Sequence, residues 1–296
     1  MSFVFTLIVV TLSWEMKEVE YPEEYDRNAS DLIRVHTTHY NALYQQKVAL
    51  FLIRTTADRL QHAVDIRKTW CDSEVQRVFH VRCLFYYVDS SVDKSLQKDT
   101  IMMMNDTHND IRFISLPNKT ENWSTIYHNN VMILSDALTT FPGYQYYAIV
   151  DDEDYINVEV LVDYLSSLVP ENVVLGKVYE HQPYKNVTDK YYDEMATHKM
   201  YYPFTCNSIL LYSSDLAHFM GSVYHYIHQP PSSLADTAFG FLVYKYYAIT
   251  GNPVHFHFPL DFDSFIIHRK TPRYQLDHAR AFMKGSYRSL GVKLTH

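Results

Sequence analysis

Tyr146-Tyr147-Ala148-Ile149-Val150-Asp151-Asp152-Glu153-Asp154-Tyr155-Ile156-Asn157 is the stretch on which the fold of this chain turns. An apolar run of strand length drives into four consecutive acidic side chains and then returns to apolar residues. Four carboxylates within about 14 Å of extended chain repel one another unless a cation or solvent separates them. The ordinary reading is a solvated acidic turn opening a helix near Val158, because Asp and Glu favour turns and first helical turns. The apolar strand in front of it favours another: loops at the C-terminal ends of such strands are where α/β sheets place ligand sites.

Working outward, Lys47-Val48-Ala49-Leu50-Phe51-Leu52-Ile53 has strand length, and Arg54-Thr55-Thr56-Ala57-Asp58 after it carries turn and N-cap chemistry. Leu60, Ala63, Val64 and Ile66 space like a helix ending near Trp70. Val81 to Val88 reads as a second strand, followed by a polar helical stretch to Met104; Ile111 to Ile114 is a third strand, and Ile126 to Leu138 is helical. Beyond the acidic run come a helix from Val158 to Leu168, a strand from Val173 and an aromatic stretch from Tyr179 to Phe204. A strand from Ser208 to Tyr212 and helices over Asp215 to Ile227 and Ala235 to Ile249 follow. Alternating strands and helices are the mark of an α/β sheet with mostly parallel strands.

The 296 residues, 47% hydrophobic, suffice for a full core, and a net charge of −8 without a basic stripe argues against a nucleic-acid partner. Only seven glycines occur, and none forms a phosphate-cradling loop, so a bound phosphate needs a metal or side chains. Residues 1–14 form a short apolar segment like a signal or anchor, and the polar residues 15–45 read as a stem. Sequons begin at Asn28, Asn105, Asn118, Asn122 and Asn186, more than the about two that chance gives, which favours the secretory pathway. Cys71, Cys83 and Cys206 leave open one bridge with a free thiol, or three buried thiols.

Several blocks, in order, resemble the β-1,3-glycosyltransferases of the galactosyltransferase/Fringe type. They are Phe51 to Thr55 with Ile66-Arg67-Lys68-Thr69-Trp70, then Val150-Asp151-Asp152-Glu153 with Tyr155-Ile156-Asn157. Gln182-Pro183-Tyr184-Lys185, Lys190-Tyr191-Tyr192, Tyr202-Pro203-Phe204 and Ala235-Asp236-Thr237-Ala238-Phe239-Gly240 continue the series. Glu153 stands where the family has a third Asp, and Ala235 where it has Glu.

The resemblance implies a GT-A-type α/β fold over residues 46–296, with a nucleotide-sugar half (46–157) and an acceptor half (158–296). It implies an inverting hexosyltransferase that moves galactose or N-acetylglucosamine from a UDP-sugar to a glycan hydroxyl. Mn²⁺ or another divalent cation would assist, in a Golgi membrane with a lumenal catalytic domain, or in a secreted form. An inactive glycan- or nucleotide-binding relative is the alternative. By this resemblance Asp151 and Asp152 lie near the ribose and the metal, Glu153 ligates the metal and His268 completes its site. Asp152 with Asp154 offers a rival Asp-x-Asp register, while Asp261-Phe262-Asp263 lacks a leading strand; His255 and His257 rival His268. Thr55, Arg67 and Lys190 are expected at the donor, the two cations offsetting phosphate charge. Asp236 is the expected general base, against its ordinary role as a helix cap.

Overall fold

The computed structural model describes residues 47–88, 97–115, 123–196, 199–223, 232–257 and 266–268. The anchor-like segment, the stem and Asp261 to Asp263 lie outside them. The apolar runs become strands because both of their faces are covered. In β1 (Ala49–Arg54), Ala49, Phe51 and Ile53 join one core cluster while Leu50 and Leu52 join another. In β4 (Tyr146–Asp151) the same alternation sends Tyr146, Ala148 and Val150 one way and Tyr147 and Ile149 the other.

With β2 (Val81–Val88), β3 (Ile111–Ile114), β6 (Val173–Tyr179), β7 (Phe204–Ser213) and β8 (His255–His257), these strands form a seven-stranded sheet in the order β3-β2-β1-β4-β7-β6-β8. β1, β2, β3 and β4 run parallel, as do β6 and β8, whereas β7 is antiparallel to both β4 and β6. The expected mixed, mostly parallel sheet is therefore the one observed. A separate ribbon pairs β5 (Asp154–Ile156) with β9 (Ile266–His268).

Helices cover both faces. On one lie α1 (Leu60–Arg67), α2 (Ser73–Phe79), α3 (Lys98–His108) and α5 (Val158–Ser166). On the other lie α4 (Trp123–Thr140), α6 (Ser214–Val223) and α7 (Ala235–Thr250). The sequence reading runs one helix on to Trp70 and misses α2, whose start is set by Asp72 accepting a hydrogen bond from the Glu74 amide at 2.9 Å. It also stops α3 four residues early; the helix continues to His108 and ends at Asn109, which takes a left-handed φ of 50°. β7 begins at Phe204 rather than Ser208. Cys71 and Cys83 form a disulfide, deciding between the two readings of those cysteines.

Candidate active site

In the order β2-β1-β4 the chain reverses direction of growth across the sheet between β1 and β4, the crevice where α/β sheets bind ligands. Arg54 and Asp151 end these two strands in register. Arg54 donates to Asp151 Oδ1 at 2.5 Å and to Asn130 Oδ1, on α4, at 3.3 Å. All three line a cleft of about 330 Å³, which Asp236 and Thr237 face from the first turn of α7. Tyr179, His181, Tyr184, Tyr191, Tyr201 and Phe204 complete an aromatic wall, with the His181 and Tyr184 rings stacked at 4.5 Å. Apolar faces beside a few convergent polar groups suit a sugar ring.

Asp236 is not the cap of its helix. Leu234 holds the N-cap position and makes no side-chain cap bond. Although partly reachable from the cleft, the Asp236 carboxyl is enclosed by protein, and burial pushes its pKa up to about 7. The charge of Asp151 adds to the rise and Arg54 opposes it. A carboxyl poised near neutrality is suited to taking a proton from a hydroxyl.

Two devices hold α7 against the cleft. Gly240 lies so close to the strand entry that a Cβ there would come within 2.8 Å of both Phe204 Cβ and the Pro203 carbonyl oxygen. That contact explains the glycine of the Ala235 to Gly240 block. The second is Asp193, buried in the aromatic stretch, which accepts from Tyr201 Oη at 2.8 Å, Ser232 Oγ at 2.6 Å and the Ser233 amide at 3.0 Å. Ser232 in turn meets Thr237 Oγ1. Burial works against the Asp193 charge, but these hydrogen bonds outweigh it and hold the carboxyl below its usual range.

Of the acidic run, Asp151 lines the cleft, and Asp152, Glu153 and Asp154 are not among its lining residues. Asp152 is buried, accepting from Thr55 Oγ1 at 2.7 Å through one oxygen and from Arg59 Nη1 at 3.0 Å through the other. Burial pushes the Asp152 carboxyl above its ordinary range while the Thr55 and Arg59 bonds pull it back. Glu153 Oε1 lies 2.8 Å from the same Arg59 nitrogen. Asp154 is buried in β5, its backbone oxygen accepting from Trp70 Nε1 at 3.1 Å. Asp154 and His268 are register partners across the ribbon, so the fold brings the backbone of the expected histidine beside the run. As placed, the Asp152, Glu153 and Asp154 side chains do not form a divalent-ion site: among the described residues no three His, Cys, Asp or Glu side chains converge to hold one. Arg59 engages Asp152 and Glu153 together, one member of each expected register.

The remaining expected residues are scattered. Thr55 Oγ1 donates to Asp152. The Arg67 guanidinium makes a two-pronged bond to Asp110 at 2.8 and 2.7 Å and covers the Phe85 ring. Lys190 sits beside the cleft, its Nζ 5.0 Å from the centre of the Tyr191 ring. His255 and His257 lie on the edge strand β8, where His257 Nδ1 meets Tyr164 Oη at 3.4 Å. The sequence reading assigned no role to Arg54, Asn130, Arg59 or Asp193.

A family model described as Galactosyltransferase matches residues 63–250. No curated protein matches the chain. Among solved structures, a glycosyltransferase involved in glycosylation of the major capsid of PBCV-1 superposes with a TM-score of 0.39 at 14% identity, over 79% of this chain and 99% of that one. The 4-diphosphocytidyl-2C-methyl-D-erythritol synthase of Anaerococcus prevotii DSM 20548 gives 0.41 at 12% identity, over 82% of this chain and 99% of that one. At such scores the family match alone carries the assignment. It runs from α1 to the end of the helix that bears Asp236, through both sides of the cleft, and the chain therefore belongs to the galactosyltransferase family and is a glycosyltransferase.

Proposed function

We propose that the protein is an inverting hexosyltransferase, taking galactose or N-acetylglucosamine from a UDP-sugar and placing it on a glycan hydroxyl through a β-1,3 linkage. The observation that carries this reading is the Asp236 carboxyl, raised to about 7 and facing Arg54 and Asp151 across an aromatic cleft. The acceptor hydroxyl would give its proton to Asp236 as its oxygen attacks the anomeric carbon, and the bond from that carbon to the diphosphate breaks on the opposite face. The aromatic wall would seat the acceptor sugar and keep water from competing.

A lumenal location, in the Golgi or after secretion, agrees with the Cys71–Cys83 disulfide and the sequons, because disulfides persist in oxidising compartments. Among the described residues no helix is long and apolar enough to cross a membrane; the anchor in this reading is the apolar segment 1–14, if it is not cleaved.

The test is a donor panel. Purified protein, assayed both with manganese and with chelator, should transfer or hydrolyse at least one UDP-sugar. Asp236→Asn should abolish turnover and leave UDP binding intact; full turnover in that variant would remove Asp236 from the mechanism.

A further inference from the structure

Three carboxyl groups follow Asp151 without a break, and something must meet their charge. For Asp152 and Glu153 that group is Arg59, the last residue of the short 3₁₀ turn Ala57–Arg59 after β1. Its Nη1 stands 3.0 Å from Asp152 Oδ1 and 2.8 Å from Glu153 Oε1, one nitrogen bridging two carboxylates as a shared metal ion would. His62 Nδ1 approaches the same Asp152 oxygen at 3.5 Å, and Thr55 holds the other. The Asp152 side chain is only 2% exposed, so an incoming ion has no open face of that carboxylate to bind. The Arg59 side chain, by contrast, is 44% exposed. A guanidinium presents several N–H donors in a planar fork, and the edge turned to solvent suits phosphate oxygens.

We propose that Arg59 takes the place of a divalent cation at the acidic run: the run takes up no metal, and the guanidinium helps hold a nucleoside diphosphate without one. The nucleotide part rests on the transferase reading; the part concerning the cation does not.

Manganese titration of the whole protein, followed by electron paramagnetic resonance of the free ion, tests the cation directly. The wild type should show no saturable binding below about 1 mM, the weak end for protein-held divalent ions. Arg59→Ala should bind manganese at least about tenfold tighter than the wild type, because two carboxylates lose their counter-charge. Saturable wild-type binding well below that concentration, or an Arg59→Ala protein that gains none, overturns the proposal. Calorimetry with UDP tests the second part. Equal affinity in chelator and in manganese, with a loss of about tenfold in Arg59→Ala and an intermediate loss in Arg59→Lys, supports it. A gain of about tenfold from manganese in the wild type overturns it. UDP binding under neither condition rejects the donor class and the nucleotide part with it, while the manganese titration still decides whether Arg59 is the cation.

Discussion

Asp236 differs from an ordinary surface carboxylate in one respect that matters for rate: its proton leaves near neutrality. A general base must be unprotonated, so activity is expected to rise with pH and level off above about 7. The charge of Asp151 contributes to that raised value, so Asp151→Asn should move the rising limb of the pH–rate profile to lower pH. An unmoved limb would show that another group sets it. The same shift has a sign for stability. Between about pH 4, where an unfolded Asp loses its proton, and about 7, the folded state still holds a proton that the unfolded state has released. Stability should therefore fall as pH rises through that window, and Asp236→Asn should flatten the fall in thermal melts. Asp151 and Asp236 were legible in the sequence because each stands in a recognisable block. Arg54, Arg59 and Asp193 were not, since their roles exist only through contacts: Arg54 meets Asp151 across 97 residues of chain and Asp193 meets Ser233 across 40.

The elements themselves were readable where apolar residues run continuously or with helical period, as in β1, β2, β3 and α4. Direction was not readable, because apolar periodicity is the same for a strand running either way. Hence nothing in the sequence marked β7 as the strand antiparallel to both neighbours. Its first residue, Phe204, lies with Pro203 against Gly240 of α7, and the fit is tight. Gly240→Ala should cost about 1–3 kcal/mol of stability, because the new methyl meets the Pro203 carbonyl oxygen as well as a side chain. Denaturant unfolding measures this, and a change within experimental error would show that α7 moves out freely. Asp193→Ala leaves the serine and tyrosine hydroxyls around it without their acceptor. Its expected result is a fall in kcat with loss of protection in amide exchange over residues 232–240, whereas UDP affinity should change little.

In the whole molecule, the two expected halves share one sheet, for β4 belongs to the first and its partner β7 to the second. The boundary expected at residue 157 does not divide the core, since β4 and β7 contribute to both of its clusters. Outside the sheet, the Cys71–Cys83 bridge fastens the segment after α1 to β2. Its reduction should lower stability by about 2–4 kcal/mol, seen as a lower melting temperature in reductant. Unchanged melting after confirmed reduction would mean that packing alone holds this region. Trp70, next to that bridge, is 1% exposed, meets Phe51 edge-on at 5.5 Å and is tied to the backbone of the acidic run through Asp154. A disulfide quenches indole emission and a buried indole emits at short wavelength, so Trp70 forms a built-in fluorophore beside the acidic run. With Trp14 and Trp123 replaced, its colour and brightness register movement of the acidic turn without a label.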